Sequence, residues 1–390
     1  MRLIKIPLLG RIVIAIVIGI IVGQFAPMWF AQLFATFNSL FSNFLSFIIP
    51  LIILGLVAPA IGEIGKGAGR LLFLTAVIAY ASTLFSGFFT YFSCEAIFPY
   101  IISANVDLAA TEAIDDVVVT PFFTVGMPPA MDVMTALILS FCLGLGISFI
   151  KGDTMLKLFV DFRDIINKII SAVIIPLLPI YIFGMFLSIS ITGQAYMVVS
   201  LFLKVILVIF VLHILLLVMQ YLVAGAISKR NPFKALKNML PAYATALGTA
   251  SSAATIPVTL NCTLKNNVDR SIASFVVPLC ATIHLSGSTM KIVGFSMAIM
   301  MFSNMPIDFA TFVGFIFMIG IAMIAAPGVP GGAIMAAVGI IQSALGFNEQ
   351  MAALMITLYI AVDSFGTACN VTGDGAIAMI MDRLKQNRKN

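Results

Sequence analysis

The segment that decides the fold reads Val362-Asp-Ser-Phe-Gly-Thr-Ala-Cys-Asn-Val-Thr-Gly-Asp374. It places two carboxylates, an amide and several hydroxyls in an otherwise apolar stretch. Four of these polar residues recur at intervals of four, three and four positions, so a helix would present them along one stripe. They are Asp363, Thr367, Asn370 and Asp374. A carboxylate in an apolar helix needs a cavity or a partner, so the stripe predicts a ligand site in preference to a structural pair.

The composition places the chain in a lipid bilayer. Of its 390 residues, 61% are hydrophobic and 9% are charged, which is too apolar for a soluble domain. Stretches that could form membrane helices of roughly 20 residues recur from Ile12 to Ile380. The predicted fold class is therefore an all-α polytopic membrane protein. The net charge of +5 implies no nucleic acid, because basic residues gather in cytoplasmic loops, and the scattered cysteines have no zinc or disulfide spacing.

The distribution of charge predicts the topology. Basic clusters mark cytoplasmic ends, whereas the stretch from Leu71 to Ile150 has no Lys or Arg and carries an acidic loop that should face outward. The first apolar segment, from Arg11 to Phe25, is interpreted as a span because no small-residue cleavage site follows it. Both termini are predicted to be cytoplasmic, in a cell membrane. The clusters include Arg2, Lys5, Lys66, Arg70, Lys151, Lys157, Arg163, Lys168, Lys229, Arg230, Lys234, Lys237, Arg383, Lys385, Arg388 and Lys389, and the loop includes Asp107, Glu112, Asp115 and Asp116.

Two segments predict re-entrant hairpins, which enter and leave the membrane on the same side. The first covers about residues 238–263, is rich in Ala, Ser and Thr, and has basic residues on both flanks; a plain polar span is the alternative. The second covers about residues 308–345, is interrupted by Pro327-Gly-Val-Pro-Gly-Gly332, and should enter from outside. The prediction is thus eight transmembrane helices and two opposed hairpins. Paired interruptions of this kind mark midplane binding sites in membrane carriers.

A third interruption lies in the predicted seventh span, about residues 269–304, at His284-Leu-Ser-Gly-Ser288. We expect the helix to break there and to expose groups that coordinate a cation or a substrate. Ser288 and Thr289 bonding back to their own helix would be the alternative, but this leaves His284 unexplained.

Lys291 is the only basic residue between Arg270 and Arg383. Its charge requires a counter-ion, for which Asp363 and Asp374 are the candidates. Snorkelling of the side chain to a membrane interface is the other interpretation.

These motifs resemble the dicarboxylate/amino acid:cation symporters, the solute carrier family 1 type, which include glutamate and neutral amino acid transporters. Ser251-Ser-Ala-Ala-Thr-Ile-Pro257 is similar to the serine-rich tip of the family's first hairpin. Gly328-Val-Pro-Gly331 is similar to the tip of the second hairpin, and Asn370-Val-Thr-Gly-Asp374 to the family's eighth span. The resemblance covers most of the chain.

The resemblance implies the roles of individual residues. Asp363 would hold the amino group of the substrate, while Thr367 and Asn370 would bind its main-chain carboxylate. The predicted substrate-binding residues are Ser251, Ser252, Ala326, Gly328, Val329, Gly331, Asp363, Gly366, Thr367 and Asn370. The predicted cation or proton site comprises His284, Ser286, Ser288, Lys291, Asn370 and Asp374, with Na+ at Asn370 and Asp374, and no cofactor is expected.

The resemblance also implies a domain organisation and an assembly. Residues 1–233 would form mainly a static scaffold, with the third and sixth spans packed on the transport part. Residues 234–390 would form a transport core that ends in an eighth span of about residues 350–384. The assembly would be a homotrimer in which each transport core slides like an elevator.

One departure from the family concerns the substrate. Acidic-substrate members carry an arginine one residue before the threonine of the eighth span, or beside the first serine motif, where this chain has Gly366 and Ala250. Without a guanidinium, a buried side-chain carboxylate has no bidentate partner. We therefore predict neutral amino acids as substrates, with dicarboxylates or acidic amino acids as the alternative.

A second departure concerns the coupling ion. The family motif Asn-Met-Asp-Gly-Thr appears here as His284-Leu-Ser-Gly-Ser288, so Ser286 replaces a carboxylate that binds sodium in the family. Coupling is expected to use fewer sodium ions, to use protons through His284, or to be absent. In another hypothesis, Lys291 occupies the vacated place as a tethered cation beside Asp374.

Two other classes of protein compete with a carrier. An intramembrane protease could use the two aspartates, or pair His284 with Ser251 or Ser252, although the aspartates lie about 16 Å apart on one helix. A channel could build a selectivity filter from re-entrant loops. An enzyme is not expected.

Overall fold

The computed structural model describes residues 8–66, 70–102, 119–191, 193, 195–326 and 330–386. Within these ranges the chain is almost entirely helical and forms no β-strand. Several residues used in the predictions lie outside the described ranges. They are Arg2, Lys5, Asp107, Glu112, Asp115, Asp116, Gly328, Val329, Arg388 and Lys389.

The first part of the chain forms long apolar helices. They are α1 (Leu8–Gly23), α2 (Met28–Lys66), α3 (Arg70–Ile102), α4 (Val133–Phe149), α5 (Thr154–Ile169), α6 (Ile175–Ile191) and α7 (Ala195–Ser228). A π-helical turn at Ile170–Ile174 joins α5 to α6.

The remainder of the chain forms shorter helices separated by breaks. They are α8 (Pro232–Asn238), α9 (Leu240–Thr249), α10 (Ser252–Lys265), α11 (Arg270–Ile283), α12 (Ser286–Phe302), α13 (Phe309–Ala325), α14 (Gly332–Leu345), α15 (Glu349–Ala361) and α16 (Asp363–Gln386).

Among the described residues, five helical stretches are long and apolar enough to cross a membrane. They are Met28–Glu63, Leu71–Ile102, Thr154–Ile191, Val198–Ser228 and Arg270–Phe302. The pair α15 and α16 becomes a sixth if it counts as one span, and its two helices are bent by 60°. The chain is therefore a multi-pass helical membrane protein.

Local chemistry accounts for the breaks between the shorter helices. Ala250 adopts a left-handed conformation with φ 48° and ends α9, and the Ser251 side chain then accepts from the N–H of Ala254 to cap α10. Gly331, with φ 76°, caps the start of α14. A glycine suits such a position, because a side chain is strained at positive φ. Both turns fall inside the segments that the sequence predicts as hairpins.

Helix α16 lies at the centre of the second half of the chain. It packs against α7, α9, α10, α11 and α12. Helix α12 is almost completely buried, with only Met301 partly exposed, and it packs against α3 as well as α16. The polar residues of α12 and the polar stripe of α16 from Asp363 to Asp374 are therefore held in the interior of the protein.

Close glycine contacts hold α1 against α6. A Cβ on Gly19 would lie 2.8 Å from the carbonyl oxygen of Phe183, and one on Gly23 would lie 2.8 Å from that of Leu187. The Ser190 hydroxyl donates to the carbonyl of Ile20 at 2.7 Å. Small residues at such contacts let helix backbones approach closely in membranes.

Gly19→Ala and Gly23→Ala are expected to destabilise the protein, because each methyl group must separate two backbones. The expected loss in the free energy of unfolding is about 1–3 kcal/mol, measured by titration with sodium dodecyl sulfate in mixed micelles. Gly146→Ala on α4 is the matched control, since its Cβ would meet nothing within 4 Å. Equal stability of all three variants would contradict the close-packing interpretation.

Candidate functional site

The candidate site lies where two interrupted helices meet. His284 and Leu285 separate α11 from α12, and Val362 separates α15 from α16. Unwound residues at such breaks leave backbone groups free to bind other partners. The polar residues of α12 and α16 face one another across this meeting point.

A buried ion pair occupies one end of the site. The Lys291 ammonium lies 2.9 Å from Asp363 Oδ1, and the two side chains are 0% and 10% exposed. The same nitrogen lies 3.6 Å from the centroid of the Tyr359 ring, in the geometry of a cation–π contact. The lysine does not snorkel to an interface, and Asp363 is its counter-ion.

The second predicted hairpin contacts the same carboxylate. The N–H of Gly331 donates to Asp363 Oδ2 at 2.8 Å. Both oxygens of Asp363 are thus held, one by an ammonium from α12 and the other by the turn before α14. The Thr367 hydroxyl donates to the backbone carbonyl of Asp363 at 3.0 Å, which secures the first turn of α16.

Gly366 provides the space in which Lys291 lies. A Cβ at this position would stand 2.4 Å from Lys291 Cε and 2.7 Å from its Nζ. A larger residue at 366 would therefore require the end of the lysine side chain to shift. Gly366 and Lys291 are thus two parts of one arrangement.

A second buried pair lies further along α16. His284 Nδ1 is 2.9 Å from Asp374 Oδ1, with both side chains at most 1% exposed. His284 Nε2 is 3.1 Å from the Ser82 hydroxyl, to which the Gln220 amide donates at 3.0 Å. With Nδ1 donating to the carboxylate, Nε2 accepts the Ser82 proton if the imidazole is neutral and donates if it is charged. The chain of hydrogen bonds accommodates either state of the ring.

Asn370 connects α16 to the start of α12. Its Oδ1 accepts from the N–H of Gly287 at 2.8 Å and of Ser288 at 3.4 Å, and its Nδ2 donates to the Ser288 hydroxyl at 3.1 Å. Ser286 is held separately, because its hydroxyl accepts from Gln220 at 3.1 Å and its carbonyl accepts from Ser86 at 2.6 Å. The break is thus fixed by side chains from three helices.

The residues fit a sodium ion only in part. Asn370 Oδ1 already accepts two N–H groups, and Asp374 Oδ1 faces His284. Several buried oxygens have no hydrogen-bond partner among the described residues, and these include Asp374 Oδ2, Gln220 Oε1 and Thr372 Oγ1. Hard oxygen ligands suit such a cation, but within the described ranges no group of three or more His, Cys, Asp or Glu residues could hold a metal.

The first predicted hairpin reaches the site through its helices. Ala246 of α9 packs with Ala368 and Val371 of α16, and Ser252 is buried at the start of α10. Ser251 caps that helix. Ala326 ends α13 and is buried, while Gly328 and Val329 lie outside the described residues.

The structure corrects two hypotheses about partners. Lys291 does not lie beside Asp374, because α12 and α16 run antiparallel: the start of α12 faces the middle of α16, and Lys291, further along α12, faces Asp363. The imidazole of His284 contacts Asp374 and Ser82, and not the serines of the first hairpin as a protease would require.

Several residues of the site escape prediction from the sequence. Gln220 and His213 of α7 are polar residues in a very apolar span, and the cost of such residues in a membrane could have indicated them. His213 Nε2 contacts the carbonyl of Gly287 at 2.9 Å. Ser82 and Tyr359 carry no such signal, since serines bond to their own helix and tyrosines pack in any core.

These features define a multi-pass helical membrane protein with a closed polar centre built on helix breaks. The Sodium:dicarboxylate symporter family matches residues 8–384 of the chain. The match extends over nearly all of the sequence, so the chain belongs to this family, as the sequence motifs predict. The family consists of transporters, and the chain is therefore not an enzyme.

Several curated proteins are similar to this chain. Excitatory amino acid transporter 5 of Homo sapiens is 35% identical over 159 residues, which cover 40% of this chain and 28% of that protein. An excitatory amino acid transporter of Caenorhabditis elegans is 27% identical over 252 residues, 63% of this chain and 50% of the relative. Excitatory amino acid transporter 2 of Homo sapiens is 26% identical over 260 residues, which cover 64% of this chain and 44% of that protein. The chain thus spans half or less of the length of these relatives.

A double-mutant cycle on Lys291 and Asp363 tests the buried pair. Lys291→Met and Asp363→Asn are each expected to cost about 3–5 kcal/mol of unfolding free energy, because each leaves a buried charge unpaired. The double variant should lose much less than the sum. Unfolding by sodium dodecyl sulfate measures all three.

The exposed pair Arg163–Glu63 is the matched control, with side chains 28% and 42% exposed. Arg163→Gln should cost less than about 1 kcal/mol. Additive losses at Lys291 and Asp363 would mean that the two charges do not stabilise one another.

Proposed function

We propose that this chain is a secondary active transporter that carries a small zwitterionic amino acid across a cell membrane. The observation that carries the proposal is the contact of Lys291 and Gly331 with Asp363 in the interior of the protein. A carboxylate buried there is costly and indicates a ligand site. Because the Gly331 turn contacts it directly, movement of that turn would open or close the site.

The finer architecture is part of this proposal. The chain would have eight spans and two opposed hairpins, with α9–α10 and α13–α14 as the hairpins and both termini in the cytoplasm. Alternating access would move residues 234–390 as a transport core, with α3 and α7 packed on it, against a scaffold of mainly the other preceding helices, in a homotrimer. The breaks at Val362 and His284 support this, since discontinuous helices build midplane sites in transporters.

Charge balance favours a neutral amino acid. The pair of Lys291 and Asp363 has no net charge, and a zwitterion adds none. A second carboxylate would leave one buried negative charge without a partner, which costs several kcal/mol. In the proposed complex, Asp363 accepts hydrogen bonds from the ammonium group of the substrate. Thr367 and the first hairpin lie beside the carboxylate group of the substrate.

An acidic amino acid or dicarboxylate is the second candidate. The family is named for dicarboxylates and the relatives for excitatory amino acids. Lys291 also brings a cation to Gly366, where acidic-substrate members carry their arginine. Such a substrate would need a co-transported cation to balance its extra charge.

The pair of His284 and Asp374 supports weak sodium dependence. In the family a carboxylate stands at the position of Ser286, and here His284 already contacts one oxygen of Asp374. We propose that coupling uses fewer sodium ions than the family motif provides, or protons. The carried cation would bind to buried oxygens that have no hydrogen-bond partner, which include Asp374 Oδ2 and Gln220 Oε1.

A transport panel in proteoliposomes tests the substrate. Uptake of L-serine, L-alanine and L-cystine should exceed that of L-aspartate, L-glutamate and succinate. Asp363→Asn should reduce uptake at least about tenfold, because the substrate's ammonium loses a charged partner.

The matched control for this panel is Asp308→Asn. Asp308 is exposed and caps α13 by accepting from the N–H of Thr311, a contact that lowers its pKa, and asparagine is an equally good capping residue. Inhibition of serine uptake by aspartate as strong as that by alanine would overturn the assignment to neutral substrates.

Replacement of sodium by choline tests the coupling. Uptake of L-serine should keep more than about half of its rate, since a hydroxyl replaces the family's carboxylate at a sodium ligand. The variant His284→Asn/Ser286→Asp restores the family's polar groups and should make uptake sodium-dependent. Abolition of uptake by choline in the unaltered protein would contradict proton-linked coupling and would leave coupling to a reduced number of sodium ions.

A further inference from the structure

Both oxygens of Asp363 are held by groups of the chain itself. Lys291 Nζ lies 2.9 Å from one and Gly331 N lies 2.8 Å from the other. An ammonium group of a ligand that takes the position of Lys291 Nζ at Oδ1 would displace the lysine. The lysine is an internal cation at the place that the proposed function gives to the ammonium of the substrate.

We propose that Lys291 is a built-in counter-cation, which neutralises Asp363 whenever no substrate ammonium does so. The inference rests on the proposed function and specifies how the unloaded carrier returns across the membrane. A carrier that performs net transport must make this return with its ligand site closed. With Lys291 in place, Lys291 and Asp363 together carry no net charge. The Gly331 turn can then close on Asp363 in the absence of substrate.

The surroundings of Lys291 allow it to leave and return. Its ammonium lies 3.6 Å from the centroid of the Tyr359 ring, whose face attracts a cation independently of Asp363. Gly366 adds no side chain to obstruct the movement. When a substrate ammonium binds Asp363, the displaced lysine stays beside the ring and the substrate pairs with Asp363 instead. Asp363 therefore has a cationic partner in both arrangements.

No other cation of the core can take this role. Lys291 is the only Lys or Arg between Arg270 and Arg383. The imidazole of His284 is engaged with Asp374 further along α16. Loss of Lys291 from its position therefore leaves Asp363 charged and unpaired in the unloaded protein, and the return step becomes the slow one.

Two kinds of efflux from proteoliposomes loaded with radiolabelled L-serine test this inference. Efflux into buffer without serine requires return of the unloaded carrier, whereas efflux into unlabelled serine is exchange and does not. In Lys291→Gln, the ratio of net efflux to exchange should fall about tenfold, which corresponds to about 1.4 kcal/mol in the barrier of the return step.

Gly366→Ala gives an independent test that keeps the charge. Its methyl group would stand 2.7 Å from Lys291 Nζ and should displace the lysine from Asp363, so the same fall in the ratio is expected. If Lys291→Gln does not insert into membranes, Gly366→Ala decides the result. Lys204→Gln on the exposed face of α7 is the matched control and should leave the ratio unchanged.

The outcomes separate this inference from the proposed function. Exchange of serine with an unchanged ratio in Gly366→Ala and Lys291→Gln would overturn the role of Lys291 alone. Equal loss of net efflux and exchange in both variants would also overturn it, because the lysine would then serve the loaded carrier. If the unaltered protein does not exchange any amino acid of the panel, the proposed function falls and this inference falls with it.

Discussion

The cost of placing charge in an apolar interior constrains the whole second half of the chain. Asp363 and Asp374 are both buried on α16. Asp363 contacts the Lys291 ammonium, and Asp374 contacts the His284 imidazole. A buried carboxylate without such a partner would cost several kcal/mol. The antiparallel contact between α12 and α16, the two helix breaks and the Gly331 turn all serve to bring these partners into place.

Glycine and hydroxyl residues let the helices approach closely enough for these contacts. A Cβ on Gly287 would lie 2.7 Å from the carbonyl of Gly366, and Gly366 itself is in contact with Lys291. Side-chain bonds from α3 and α7 then hold the residues around the break, through Ser86 and Gln220. Three helices therefore hold the residues around the break, although the backbone at its centre is not helical.

Much of the fold could be predicted from the sequence, because its signals are local. Long apolar runs, glycine and proline interruptions and the polar stripe from Asp363 to Asp374 each follow from a few neighbouring residues. The partners of the charges could not be predicted in the same way. Whether Lys291 meets Asp363 or Asp374 depends on the relative direction and axial offset of two helices, which no local pattern records. The contact of Lys291 with the Tyr359 ring depends on the same helix geometry.

The 60° bend at Val362 makes Asp363 the first residue of α16. The opening turn of a helix has unpaired N–H groups and carries a partial positive charge. The helix that carries this anion therefore also contributes to the potential that favours it, in addition to the lysine. A straight helix through position 362 would remove that contribution without any change in the residues of the site. The direction of the backbone therefore contributes to the electrostatic potential at Asp363.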